Sequence, residues 1–394
     1  LTHEGDGPAL LFNNEGATSA PVSWTELKSR VARFASVLRR WGVEPGDRVA
    51  AFMPNCPDTI VAMLAATSLG AVFSSCSPDF GVRGVLDRFG QIEPKVLVAC
   101  DGYRYAGKVL PSHEKLAEII EGLPSLEHVA IVPFIGAGPK GLAKAEDFEA
   151  LIAGVPVAPL SFTRLPFAHP LYIMYSSGTT GMPKCIVHSA GGTLLQHLKE
   201  HKLSSDEKPG DVLFYFTTCG WMMWNWLVSG LASGTTLALY DGSPFHPSES
   251  VLFDYIDAAG IRIFGTSAKF IDAVKKSGFR PRETHSLASM ETILSTGSPL
   301  VAESFDFVYQ DIKADVQLAS ISGGTDILSC FVGGSPWDPV WRGEIQAKGL
   351  AMPGINRVDG RKAGVFERGY SPGRKRHQVL GRCAHYGHAA RVEN

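Results

Sequence analysis

Between Arg48 and Ala319 the sequence alternates short apolar, β-branched runs with stretches of helical spacing, and few folds accept that rhythm. Arg48-Val49-Ala50-Ala51-Phe52 reads as a buried strand, and Pro57 opens a helix through Leu64 to Ser68 that Gly70 closes. Strand-like runs follow at 71–73, 95–99 and 128–132, with helical ones at 85–89 and 114–120. The pattern returns as strands at 212–216, 236–240, 261–265, 292–295 and 315–319, separated by helices at 224–231, 249–259, 268–276 and 301–309. Ahead of it, a strand at 9–13 precedes Ser23 and Glu26, a capping-box pair. They open a helix whose apolar stripe is Leu27, Val31, Phe34, Leu38 and Trp41, stopped by Gly42. Strands joined by helical crossovers pair in parallel with right-handed connections, which puts helices on both faces of the sheet. The expected fold is therefore α/β, two layered αβα halves meeting at a cleft, with 133–170 as the connection between them. Ligands of such sheets sit beyond the carboxyl ends of the strands.

Composition removes several function classes. An apolar content of 45% with 19% charged residues belongs to an ordinary globular chain, and a net charge of −2 gives no footing for nucleic acid or an acidic membrane surface. The seven cysteines are scattered, odd in number and without C-x-x-C spacing, which argues against a disulfide framework or a zinc site and for a reducing compartment. No apolar run has the length of a membrane span, and the opening residues are not a signal peptide, so a soluble cytosolic protein is expected. Nothing in the sequence fixes an oligomeric state.

The stretch Tyr175-Ser176-Ser177-Gly178-Thr179-Thr180-Gly181-Met182-Pro183-Lys184 carries the strongest chemistry. Two glycines let successive N–H groups turn into one concavity, a nest for anionic oxygens. The hydroxyls of Ser176, Ser177, Thr179 and Thr180 add donors, and Lys184 adds a full charge at the rim. Its spacing is not Walker A, which needs Ser or Thr directly after the lysine and a helix at once. Here Cys185 follows, and 171–175 and 185–188 both read as strands, so a strand–loop–strand phosphate clamp is expected. A polar hairpin loop without ligand would use similar residues.

Three further segments join it. Ile321-Ser322-Gly323-Gly324-Thr325-Asp326 follows a strand: its glycines admit close approach to the backbone, Thr325 can donate to a phosphate, and Asp326 can hold a hard cation through oxygen. Taken alone, this is equally a glycine turn capped by Thr and Asp. Ser295-Thr296-Gly297-Ser298-Pro299 lies at another strand end and by itself is a turn before a helix. In 219–226, Trp221, Trp224 and Trp226 could wall a small acyl chain, with Trp221 the candidate for substrate contact. The spacing of Trp221 and Trp224 also suits core packing. His188 and His197 read as structural or surface residues rather than catalysts.

The loop at 175–184 resembles the signature loop of the adenylate-forming superfamily: acyl-CoA synthetases, luciferases and peptide-synthetase adenylation domains. Its context from Leu171 to Leu198 is similar to the acetoacetyl-CoA synthetases within that superfamily. Gly323-Gly324-Thr325-Asp326 resembles the superfamily's aromatic-Gly-x-Thr-Glu segment with Asp for Glu. The resemblance implies ATP, magnesium and CoA, with acetoacetate as the acid, in two half-reactions: adenylation with loss of pyrophosphate, then displacement of AMP by the CoA thiol. It implies that Ser176 to Lys184 hold the β- and γ-phosphates, that Thr325 touches the α-phosphate and Ser322 to Gly324 the nucleotide, and that Asp326 holds the metal. It places Gly297, Ser298 and Pro299 on the adenine side.

The resemblance runs from Leu1 to about Met352. Positions 354–394 hold nine Arg or Lys against three acids, with neither strand alternation nor a helical stripe. The expected organisation is an AMP-binding domain at 1–353 and a divergent, poorly ordered basic tail at 354–394, for which a solvated tail is preferred over a nucleic-acid contact. On this reading the chain is truncated at both ends, lacking an amino-terminal extension, the last β-rich part and the small closing domain. Impaired ligase activity is then expected, the alternatives being a catalytically inactive nucleotide-binding fragment or a ligase for another short acid such as acetate.

Overall fold

The computed structural model describes residues 1, 3, 5–16, 18–156, 158–176 and 181–350. The tail at 354–394 lies outside the described residues, as do Ser177, Gly178, Thr179 and Thr180 of the candidate phosphate loop.

Two seven-stranded sheets carry the fold. In the first the spatial order is Lys184–Ser189, Pro170–Ser176, Val72–Cys76, Arg48–Phe52, Val96–Cys100, His128–Val132 and Ala145–Asp147. In the second it is Gln317–Ser320, Thr292–Thr296, Ile263–Ser267, Val212–Tyr215, Thr236–Asp241, Pro8–Asn14 and Val22–Ser23. Inner pairs are parallel, as the crossover pattern requires, and each sheet ends in an antiparallel pair: Pro170–Ser176 with Lys184–Ser189, and Pro8–Asn14 with Val22–Ser23. Strands buried on both faces, such as Val96–Cys100, are apolar throughout rather than alternating.

The helices begin and end on the expected signals. Ser23 Oγ accepts the Glu26 N–H at 3.1 Å at the head of helix Trp24–Arg40. Pro57 stands at the first position of helix Pro57–Ser68. Helices Trp24–Arg40, Pro57–Ser68 and Met222–Ser229 share one central core with inner faces of both sheets, where Phe73 of the first sheet and Trp224 stack with ring centroids 6.1 Å apart. A separate apolar cluster lies behind each sheet. The two αβα halves are thus fused through a common helical layer.

The strand Pro8–Asn14 pairs in parallel with Thr236–Asp241, Leu10 opposite Leu237, and so belongs to the second sheet. The stretch 133–170 is not merely a connection: Ala145–Asp147 adds an edge strand to the first sheet, and helix Phe148–Ala153 packs Phe148 against Phe34. A hairpin, Gly102–Tyr105 with Lys108–Pro111, and the helix Ala190–Lys199 are further elements that periodicity did not reveal.

Candidate functional site

The clamp is built from an antiparallel hairpin. In strands Pro170–Ser176 and Lys184–Ser189, Ser176 stands opposite Lys184. Gly181 has φ +106°, a conformation that a side chain would strain. Lys184 is exposed and Ser176 half-buried. Helix Val82–Ile92 supports the loop from beneath: Gln91 Nε2 donates to the Pro183 carbonyl at 3.0 Å. From the same helix the Arg88 guanidinium lies over the rings of Phe80 and Tyr175, at 4.7 and 5.6 Å. The hydroxyls of Tyr175 and Ser74 lie 2.9 Å apart, and burial raises the tyrosine pKa well above its ordinary value.

The second motif sits beside the return strand of the clamp hairpin. Ser322–Gly324 forms a short strand antiparallel to Ser329–Gly333, and the turn between them presents Thr325 and Asp326. The decisive contact comes from the return strand of the clamp: His188 Nε2 lies 2.8 Å from the Thr325 carbonyl. A carbonyl only accepts, so Nε2 carries the proton. Burial lowers the His188 pKa, against the raising influence of the Thr325 carbonyl and the Asp326 charge. One histidine, read from sequence as a structural or surface residue, therefore ties the return strand of the hairpin to the Thr325 turn, far apart in the chain. The glycines differ in role. A Cβ on Gly323 would lie 2.1 Å from the Ser329 carbonyl, so the hairpin itself demands this glycine, whereas at Gly324 nothing lies within 4 Å.

The third motif adjoins the second through the sheet. Ser295 stands opposite Ser320, the Ile321 N–H donates to the Ser295 carbonyl at 2.8 Å, and Thr296 Oγ1 donates to the Ile321 carbonyl at 3.0 Å. Gly297, Ser298 and Pro299 leave that strand end at the surface, half to fully exposed. The second and third motifs thus adjoin at the carboxyl ends of Thr292–Thr296 and Gln317–Ser320, and the loop of the first follows the carboxyl end of Pro170–Ser176.

Trp221 caps helix Met222–Ser229 and is 69% exposed, while Trp224 and Trp226 are buried. The indole N–H of Trp224 donates to Asn55 Oδ1 and that of Trp226 to Glu200 Oε2, both at 3.0 Å. Core packing thus accounts for Trp224 and Trp226 but not for Trp221. His197 is fully buried. Asn55, Arg88, Gln91 and Glu200 were missed from sequence; a charged residue on an otherwise buried helical face, as at Glu200, was the available signal.

The AMP-binding enzyme family matches residues 2–356. The chain belongs to that family. Among its relatives, the acetoacetyl-coenzyme A synthetase of Rhizobium meliloti is 58% identical over 89% of this chain and 54% of the relative. The acetoacetyl-CoA synthetase of Mus musculus is 50% identical over 89% of this chain and 53% of its own length. The solved acetoacetyl-CoA synthetase from Streptomyces lividans superimposes with a TM-score of 0.84 at 46% identity, covering 88% of this chain and 53% of that one. The chain spans about half the length of the relatives it matches.

Proposed function

We propose that this chain carries the nucleotide and acid sites of an ATP-dependent acetoacetate–CoA ligase. The reading rests foremost on the His188–Thr325 contact, which brings the clamp hairpin and the Thr-Asp turn to one place. Kinship with acetoacetyl-CoA synthetases supports acetoacetate as the acid.

In the first half-reaction a carboxylate oxygen attacks the α-phosphorus of ATP, forming the acyl-phosphate bond as the bond to pyrophosphate breaks. The obstacle is repulsion between two anions, which positioning and fixed positive charge overcome without a covalent enzyme intermediate. Ser176, Gly181 and Lys184, with Ser177, Gly178, Thr179 and Thr180, hold the β- and γ-phosphates and receive the departing charge. Thr325 donates to the α-phosphate, and the backbone of Ser322, Gly323 and Gly324 lines its path. Gly297, Ser298 and Pro299 border the adenine, and Trp221 offers an apolar face to the acid. In the second half-reaction the CoA thiol adds to the acyl carbon, loses its proton and expels AMP.

Among the described residues no three His, Cys, Asp or Glu gather as a metal cage. A lone exposed carboxylate, Asp326, fits a magnesium ion that takes its other ligands from phosphate and water. Such an ion neutralises phosphate charge when bound. A cytosolic location accords with the scattered cysteines; among the described residues no helix is long and apolar enough to cross a membrane.

Pyrophosphate release from ATP in the presence of magnesium tests the reading. Release should require acetoacetate, be weaker with acetate, and fall on the order of 10²-fold in Lys184→Ala, since one lost electrostatic donor costs about that much. ATP binding without acid-dependent release would leave nucleotide binding as the chain's only activity.

A further inference from the structure

The geometry points to Glu200 as a positioning residue that couples the phosphate side of the site to its acid side. Glu200 follows helix Ala190–Lys199 and is buried. A buried carboxylate is costly unless donors surround it, and here they do. Oε1 accepts from Ser329 Oγ at 2.6 Å, Gln196 Nε2 at 2.9 Å, the Cys330 N–H at 3.0 Å and Cys330 Sγ at 3.4 Å. Oε2 accepts from Trp226 Nε1 at 3.0 Å. Burial first and the Glu200 charge second push the Cys330 thiol up to about 12, which keeps it a donor.

The partners belong to three segments. The helix that leads to Glu200 continues directly from the clamp strand Lys184–Ser189. Ser329 and Cys330 stand opposite Gly324 and Gly323, the residues that lead into Thr325 and Asp326. Trp226 lies on the helix capped by Trp221, and its carbonyl also accepts from His201 Nε2 at 3.1 Å. Movement of the Thr325 turn therefore reaches Trp221 through one carboxylate, as movement of Trp221 reaches Thr325. This rests on the adenylating role argued above.

The acceptor pattern supplies the test. A glutamine has one acceptor end and one donor end. With its oxygen kept toward Ser329 and Cys330, its amide group confronts the Trp226 indole N–H, donor against donor. Glu200→Gln should raise KM for acetoacetate on the order of tenfold, the effect of leaving one buried donor unpaired, and leave KM for ATP within about twofold. In a Trp226→Phe background, where the indole N–H is gone, the same substitution should have little further effect. Ser329→Ala, which touches only the other oxygen, should do the reverse, raising KM for ATP several-fold and sparing acetoacetate. A residue that merely held the fold together would move both constants together in every variant, and that result overturns the inference, as does an unchanged acetoacetate KM in Glu200→Gln. If the unsubstituted chain released no pyrophosphate, the adenylating role itself would fall, an outcome distinct from either.

Discussion

Two titratable groups, the buried His197 and the half-buried Asp241, give this protein opposing responses to pH. Burial, reinforced by His201 and His188, pushes His197 down to about 3, while an unfolded histidine protonates near 6.5. The unfolded chain thus binds the extra proton between those values, and stability is lost as pH falls through that window. Asp241 is pushed up to about 7 by burial and by the charges of Glu15 and Asp79, from an ordinary 3.8. Here the folded chain holds the proton, so stability is lost as pH rises from 3.8 toward 7. Thermal melts at pH 4.5, 6 and 8 should show Asp241→Asn gaining on the parent at pH 8, and His197→Phe losing less than the parent on acidification. Parallel shifts of all three proteins at every pH would contradict this. Neither group was legible in sequence as titrating out of range, because burial by residues distant in the chain sets both shifts. Lys184 and Thr325 could be singled out as candidates because the features that mark them are local to their motifs.

The strand–helix alternation was readable because each element's limits come from its own residues: Ser23 with Glu26, Pro57, and the uninterrupted apolar run at 96–100. The hairpin Ser322–Gly324 with Ser329–Gly333 was not, since glycine-rich residues give no periodicity. The sequence placed two equivalent glycines there, and packing separates them. Gly323→Ala should lower the melting temperature, because its Cβ meets the Ser329 carbonyl and overpacking against fixed backbone costs about 1–3 kcal/mol or more. Gly324→Ala meets open space and should leave melting within about a degree, altering nucleotide affinity instead. Equal melting of the two variants would show that the hairpin tolerates a side chain at both positions.

The two halves are held as one body by contacts that no local pattern announces. Pro8–Asn14 completes the second sheet, and the carboxylate of Glu15 just after it accepts from Ala106 and Gly107 N–H at 2.7 Å each and from Ser243 N–H at 2.6 Å. Asn55, from the loop beyond strand Arg48–Phe52, accepts the Trp224 indole N–H and donates to the Thr217 carbonyl at 3.4 Å. Asn55→Ala leaves that buried indole without an acceptor, a cost of about 1–3 kcal/mol. It should lower a single cooperative transition in calorimetry rather than split it; two separate transitions would show that the halves fold independently. Fusion of this kind also fixes the clamp hairpin, the Thr325 turn and the Gly297 strand end against one another, which a phosphate site requires. Calorimetric titration of the folded chain with ATP and magnesium asks whether that convergence binds nucleotide. Saturable 1:1 binding, weakened at least tenfold in both Lys184→Ala and Thr325→Ala, is the predicted result; no binding, or binding that neither substitution weakens, would contradict it.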